Sequence, residues 1–96
     1  MEPNIAVIVQ ARMGASRLPG KMLLPLHGIP IVEWVFRRVK KARLIHGVIF
    51  AIPDTEDNDI LNAYLEKIGA TVYRGSELDV VERFYFAAKK MNATNI

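Results

Sequence analysis

Three cations, Arg12, Arg17 and Lys21, fall within ten residues of one another and share that interval with Gly14, Pro19 and Gly20. The full string, Gln10-Ala-Arg-Met-Gly-Ala-Ser-Arg-Leu-Pro-Gly-Lys21, reads as a loop punctuated by turn-forming residues. Glycines let backbone N–H groups approach an anion closely, and clustered cations on a surface loop mainly repel one another unless something anionic sits among them. A polyphosphate answers that requirement, because each charge-assisted hydrogen bond to it contributes about 1.5–3 kcal/mol. Two common phosphate loops do not fit. A Walker A loop has Ser or Thr after Gly-Lys and a helix directly behind it, whereas Met22 follows Lys21 and Pro25 precludes an immediate helix. The Gly14-to-Gly20 gap is also one residue too long, and the Gly-x-Gly-x-x-Gly dinucleotide fingerprint is absent.

The elements that must position this loop alternate strand and helix. Residues 5–10 form a β-branched run of the kind buried on both faces of a sheet. Pro30 suits a first helical turn, and Ile31, Val35 and Val39 at four-residue spacing predict a helix reaching about residue 42. Residues 46–52 predict a second buried strand ended by Pro53. Ile60, Leu61, Tyr64, Leu65 and Ile68 give the next helix one apolar stripe, with acids in its first turn and Gly69 as its stop. Residues 70–73 predict a third strand, and Ser76 begins a capping-box-like start to a last helix carrying Val81, Phe84, Tyr85, Ala88 and Met91. A fourth strand is expected after Asn92. Helices between buried strands require a parallel sheet with right-handed crossovers, and ligands bind beyond the carboxyl ends of such strands. That rule brings the 11–21 loop, Asp54 and Thr55, and residues 74–79 to one rim.

VQARMGASRLPGK followed by LLPLHGIPIVEWVFRRV resembles the opening of the cytidylyltransferase family, which includes the activating enzymes for acylneuraminate and 3-deoxy-octulosonate. It is most similar to the branch of spore coat polysaccharide biosynthesis protein F, and RGSELDVVERF resembles that branch's second signature. The resemblance implies a Rossmann-like three-layer αβα fold of the nucleotide-diphospho-sugar transferase type, truncated, with residues 1–96 as the N-terminal nucleotide-binding portion. It implies a transfer in which a sugar oxygen attacks the α-phosphorus of CTP and releases pyrophosphate with Mg2+. Carried over by position, Arg12 and Lys21 hold the triphosphate and are the catalytic cations, and Arg17 assists them. Ala11, Gly14 and Ser16 bring backbone to the nucleotide, while Ser76, Asp79 and Arg83 reach base or ribose. Ala15 stands where that branch more usually has serine. The family's magnesium aspartate falls in a Thr-x-Asp-x-Pro-like segment that this sequence does not contain, so no metal ligand is assigned. An alternative is a catalytically incomplete fragment that folds, binds nucleotide and oligomerises.

Several of these residues also have plain structural roles. Asp79 at three residues from Ser76 is explained by helix capping, Arg83 lies on a helix, and Asp54, Asp57 and Asp59 complement a helix start rather than forming a metal cluster. His27 and His46 have no partner at ligand spacing, and Trp34 belongs to an amphipathic helix.

Composition narrows the remaining choices. With 96 residues, half of them hydrophobic, the chain makes one domain at most. There is no cysteine, which removes disulfides, thiolate metal sites and thiol catalysis. No signal peptide or membrane-length apolar run is visible, which fits a cytoplasmic protein without a membrane partner. The net charge of +3 divides unevenly: residues 1–50 hold eight Lys/Arg against two acids, and residues 51–96 hold five against eight. Arg37, Arg38, Lys40, Lys41 and Arg43 read as a solvated helix face. The basic residues are not interleaved with aromatics and no nucleic-acid recognition motif is present, so a nucleotide is the expected anion. With the second strand on one side of the first, and residues 93–96 too few for the fourth strand to cover the other side fully, the first-strand edge is expected to pair with another copy in a homo-oligomer.

Overall fold

The structure is a computed structural model that describes residues 5–14, 20–42, 45 and 47–91. Strand β1 (Ala6–Gln10) is followed by a two-stranded hairpin, β2 (Pro25–Leu26) and β3 (Ile29–Pro30), and by helix α1 (Ile31–Lys40). Strand β4 (Gly47–Pro53), helix α2 (Asp59–Lys67), strand β5 (Thr71–Gly75) and helix α3 (Val80–Lys90) complete the described chain. Short 3-10 turns at Lys21–Leu23 and Glu56–Asn58 precede the hairpin and α2.

β1, β4 and β5 form one parallel sheet in the order β1-β4-β5, with Ala6 opposite Gly47 and Ile49 opposite Thr71 at the two starts of register. Within β1 the outer edge carries no strand among the described residues. Alternation along β4 divides the core in two. Phe50 and Ile52 pack with Val32, Phe36, Leu61 and Leu65 under α1 and α2, and the Phe36 and Phe50 rings meet edge-to-face at 5.9 Å. Ile49 and Ala51 face the other way, onto Ala87 of α3. All four of these β4 residues are fully buried, as a strand covered on both faces requires. The expected three-layer α/β architecture is present.

The ends of β5 and α3 and the presence of a hairpin differ from the sequence expectation. β5 runs on to Gly75, because the ladder pairs Ile52 with Arg74 and Pro53 with Gly75. α3 starts three residues later than Ser76 suggests: Asp79 is the N-cap, its Oδ1 accepting from Glu82 N at 2.8 Å, while Ser76 Oγ accepts from Asp79 N at 3.0 Å in the preceding turn. The capping pair is thus Asp79 and Glu82. The hairpin is not expected at all; it turns on His27 and Gly28, both left-handed at φ 53° and 79°, as a tight two-residue hairpin loop demands. Trp34 Nε1 donates to Leu26 O at 2.8 Å and so clips this hairpin to α1.

α1 is also tied to α2. Glu33 accepts hydrogen bonds from the Tyr64 hydroxyl and from Arg37. The Tyr64 hydrogen bond, with Arg37 adding to it against the opposing effect of burial, holds the Glu33 carboxyl below its ordinary 4.5. A carboxyl with a lowered folded pKa adds stability above its unfolded value, and that increment is lost as pH falls through the folded one. The urea-midpoint gap between the wild type and Glu33→Gln is expected to be open at about pH 7 and to close from about pH 5 toward pH 3. A gap that is constant across that range would contradict the assignment.

Candidate functional site

The carboxyl ends of β1, β4 and β5 deliver three polar segments to one rim, and buried side chains hold them there. Ala11 extends the β1–β4 ladder by one bond, its N–H donating to Ala51 O at 3.2 Å, and its side chain is buried. Two residues on, Met13 N donates to Asn58 Oδ1 at 2.8 Å. Asn58 is 1% exposed and spends its amino group on Thr55 Oγ1 and Asp57 Oδ1, at 2.9 and 3.2 Å. A buried amide with all its bonding satisfied therefore fixes where the loop after β1 leaves the sheet. Gly20 N returns to Met13 O at 2.8 Å and closes the loop. Gly20 needs its freedom, with φ 76°, whereas Gly14 does not adopt a positive φ and an added Cβ there would meet only Asp57 Oδ2 at 3.5 Å.

Arg12 and Lys21 flank this closure, one residue before Met13 and one after Gly20. Both are exposed, and among the described residues neither side chain has an ion pair or hydrogen bond. Ser16 and Arg17 lie outside the described residues.

The residues nominated after β5 come together with β1, but on protein partners. Ser76 and Asp79 serve the turn and the helix cap described above. Arg83 is 3% exposed; its Nε and Nη2 donate to Gln10 Oε1 at 3.0 and 2.8 Å, and its Nη1 donates to Ser76 O at 3.0 Å. Burial first, and then the like charge of Arg12, pull the Arg83 pKa down, with Glu77 acting against them. Gly75 makes room for this side chain, since a Cβ there would sit 3.2 Å from Arg83 Cγ and 2.6 Å from Tyr73 Cε2. Arg74 completes the set by donating to Thr55 O at 2.8 Å and pairing with Asp59 at 2.7 Å, which anchors the segment after β4. Gln10 and Asn58 were not singled out by sequence, and Arg74 was placed on the rim without a role. Gln10 alone carried a signal, as the polar residue that ends an apolar run.

Asp57 and Asp59 are engaged with Thr55, Asn58 and Arg74, and among the described residues no group of three or more His, Asp or Glu is placed to hold a metal ion. A groove of about 930 Å³ between the hairpin and α1, lined by Leu26, Trp34 and Val35 with Arg37, Arg38 and Lys40, shares none of the rim residues. No described helix is long and apolar enough to cross a membrane.

A parallel sheet covered by helices on both faces, with its polar loops gathered at the strand carboxyl ends, defines an α/β domain of the ligand-binding doubly wound kind. The cytidylyltransferase family model matches residues 6–96, and the chain belongs to that family. It is 40% identical over 85 residues to the spore coat polysaccharide biosynthesis protein SpsF of Bacillus subtilis (strain 168), covering 84% of this chain and 35% of that protein. A cytidylyltransferase from Leptospira borgpetersenii serovar Hardjo-bovis (strain JB197) superposes with a TM-score of 0.88 at 32% identity, over 96% of this chain and 39% of that one. The CMP:2-keto-3-deoxy-manno-octonic acid synthetase complexed with CTP superposes with a TM-score of 0.71 at 29% identity, over 94% and 37%. Family members are CTP-dependent sugar nucleotidyltransferases. The chain spans between a third and two fifths of the length of these relatives.

Asn58→Ala removes the acceptor for Met13 N and the donors to Thr55 and Asp57. It is expected to lower the unfolding free energy by about 1–3 kcal/mol in urea titrations. A change within about 0.5 kcal/mol, the range of an ordinary surface substitution, would show that the loop does not depend on this amide.

Proposed function

We propose that this chain carries the triphosphate-binding part of a nucleotidyltransferase that activates a sugar with CTP for surface or spore coat polysaccharide synthesis in the cytoplasm. The observation that carries the reading is the pair of cations, Arg12 and Lys21, without a partner among the described residues, at the two ends of a pinned loop beyond the carboxyl end of β1. The family membership and the superposition on a synthetase complexed with CTP support it.

In the proposed reaction a sugar oxygen forms a bond to the α-phosphorus while the bond from that phosphorus to the bridging oxygen breaks, and pyrophosphate leaves with both electrons. Negative charge builds on the leaving oxygens. Arg12 and Lys21 neutralise it with their positive charges, so the work is positioning and electrostatic stabilisation. Ala11 and Gly14 bring the backbone of the pinned loop to the phosphates, and Ser16 and Arg17 add donors from the same loop. Ser76, Asp79 and Arg83 border the nucleoside side of the site, holding its wall through the contacts already described.

Isothermal titration with CTP is expected to show Arg12→Ala and Lys21→Ala each weakening binding by about tenfold or more, the loss of one charge-assisted contact. Unchanged affinity in both variants would remove the loop from the site. The outer edge of β1, which carries no strand among the described residues, is the proposed contact between copies, since a strand edge is a template for pairing. Light scattering is expected to show a dimer or larger assembly, and a monodisperse monomer at high concentration would refute that contact.

A further inference from the structure

Gln10 ends β1, and its amide is oriented by the chemistry of its partner. An arginine side chain offers N–H donors and no acceptor. Two donors of Arg83, Nε at 3.0 Å and Nη2 at 2.8 Å, converge on the single oxygen Oε1 of Gln10. The carbonyl end of the amide must face the guanidinium, because the amino end would set donor against donor. The guanidinium is itself fixed, being buried and held at its other end by Ser76 O at 3.0 Å. The Gln10 amino group is thereby turned away from Arg83, and it makes no hydrogen bond to any described residue.

Strand periodicity says which side of the sheet this amino group serves. Val9 and Ala11 join the core under α1 and α2, whereas Ile8 packs on the α3 side, so Gln10 stands on the α3 side at the carboxyl end of the strand. The next residue of the same parity is Arg12, whose charge is felt at Arg83. A neutral group with two fixed donors thus stands beside a cation of the phosphate loop. The phosphates have Arg12 and Lys21. What a neutral pair of donors adds is recognition of an uncharged acceptor, and the uncharged acceptors of a nucleotide are base carbonyls and ribose hydroxyls.

We infer that the Gln10 Nε2 amino group donates a hydrogen bond to an acceptor oxygen in the nucleoside half of the bound triphosphate, with Arg83 as the residue that positions it. This rests on the nucleotide reading of the loop. Arg83 in this role touches no ligand: it selects which end of the amide faces the site and removes the rotational freedom that binding would otherwise have to freeze.

Gln10→Glu separates the two functions of the side chain. A carboxylate still accepts both Arg83 N–H bonds, now charge-assisted, but has no donor to offer a ligand. The test is isothermal titration of the full chain, wild type and Gln10→Glu, with CTP, 2′-deoxy-CTP and inorganic tripolyphosphate, alongside thermal melting without ligand. The variant is expected to melt no lower than the wild type and to bind CTP about tenfold more weakly or worse, while tripolyphosphate binding changes by less than about threefold. A wild-type preference for CTP over 2′-deoxy-CTP that disappears in the variant assigns the contact to the ribose; equal losses for the two assign it to the base, and either result supports the donor role. Unchanged CTP affinity, or equal weakening of CTP and tripolyphosphate as general charge repulsion would give, overturns the inference. A lowered melting temperature overturns the locked amide. A wild type that binds none of the three ligands overturns the nucleotide reading itself, a result distinct from all of these.

Discussion

β4 has no solvent face, and the architecture of the rim follows from that constraint. Ile49, Phe50, Ala51 and Ile52 are fully buried, so the strand must be flanked by other strands and covered by helices on both sides. Parallel neighbours then leave the sheet at the same edge, where backbone groups released from the ladder need partners. The chain supplies them with side chains from the far end of the next connection. Asn58 takes the loop after β1, Arg74 takes the segment after β4, and Arg83 takes the turn after β5 and returns to β1 through Gln10. The rim is a set of cross-ties, and the loop after β1 that carries Arg12 and Lys21 is one of the segments they hold.

That arrangement sorts the cations by function. Arg74 and Arg83 are committed to carbonyl, amide or carboxylate oxygens of the protein, and Arg37 to Glu33. Arg12 and Lys21 are at the rim without such commitments among the described residues. Committed cations stabilise the walls, and uncommitted ones have field to offer an anion. Placing a buried arginine beside Arg12 adds a like charge to the site's wall, which favours a polyanion over a neutral ligand.

Much of this frame was legible in the sequence. The β-branched run before Gln10, the apolar stripe of α2 and the strand ending at Pro53 each carry a periodicity that survives in the fold, and the strand carboxyl-end rule located the rim from them alone. The capping chemistry around Ser76 and Asp79 was visible too, although two competing cap residues three apart obscured where α3 begins. The hairpin was not legible, because its strands are two residues long and His27 is not a residue whose type announces a left-handed conformation. Nor were the ties. The Met13–Asn58 bond spans 45 residues and the Gln10–Arg83 bond spans 73, and such pairs exist only once the register of the sheet is set. Arg83 shows the consequence: its position nominated it for ligand binding, while its burial commits its guanidinium to the wall of the site.

The most direct measurement is a crystal structure of this chain grown with CTP. The account predicts the nucleotide beyond the carboxyl end of β1, with its phosphates within hydrogen-bond reach of Arg12 and Lys21. A nucleotide seated instead in the groove beside Trp34, or at the rim with both of those side chains directed away from its phosphates, would contradict it.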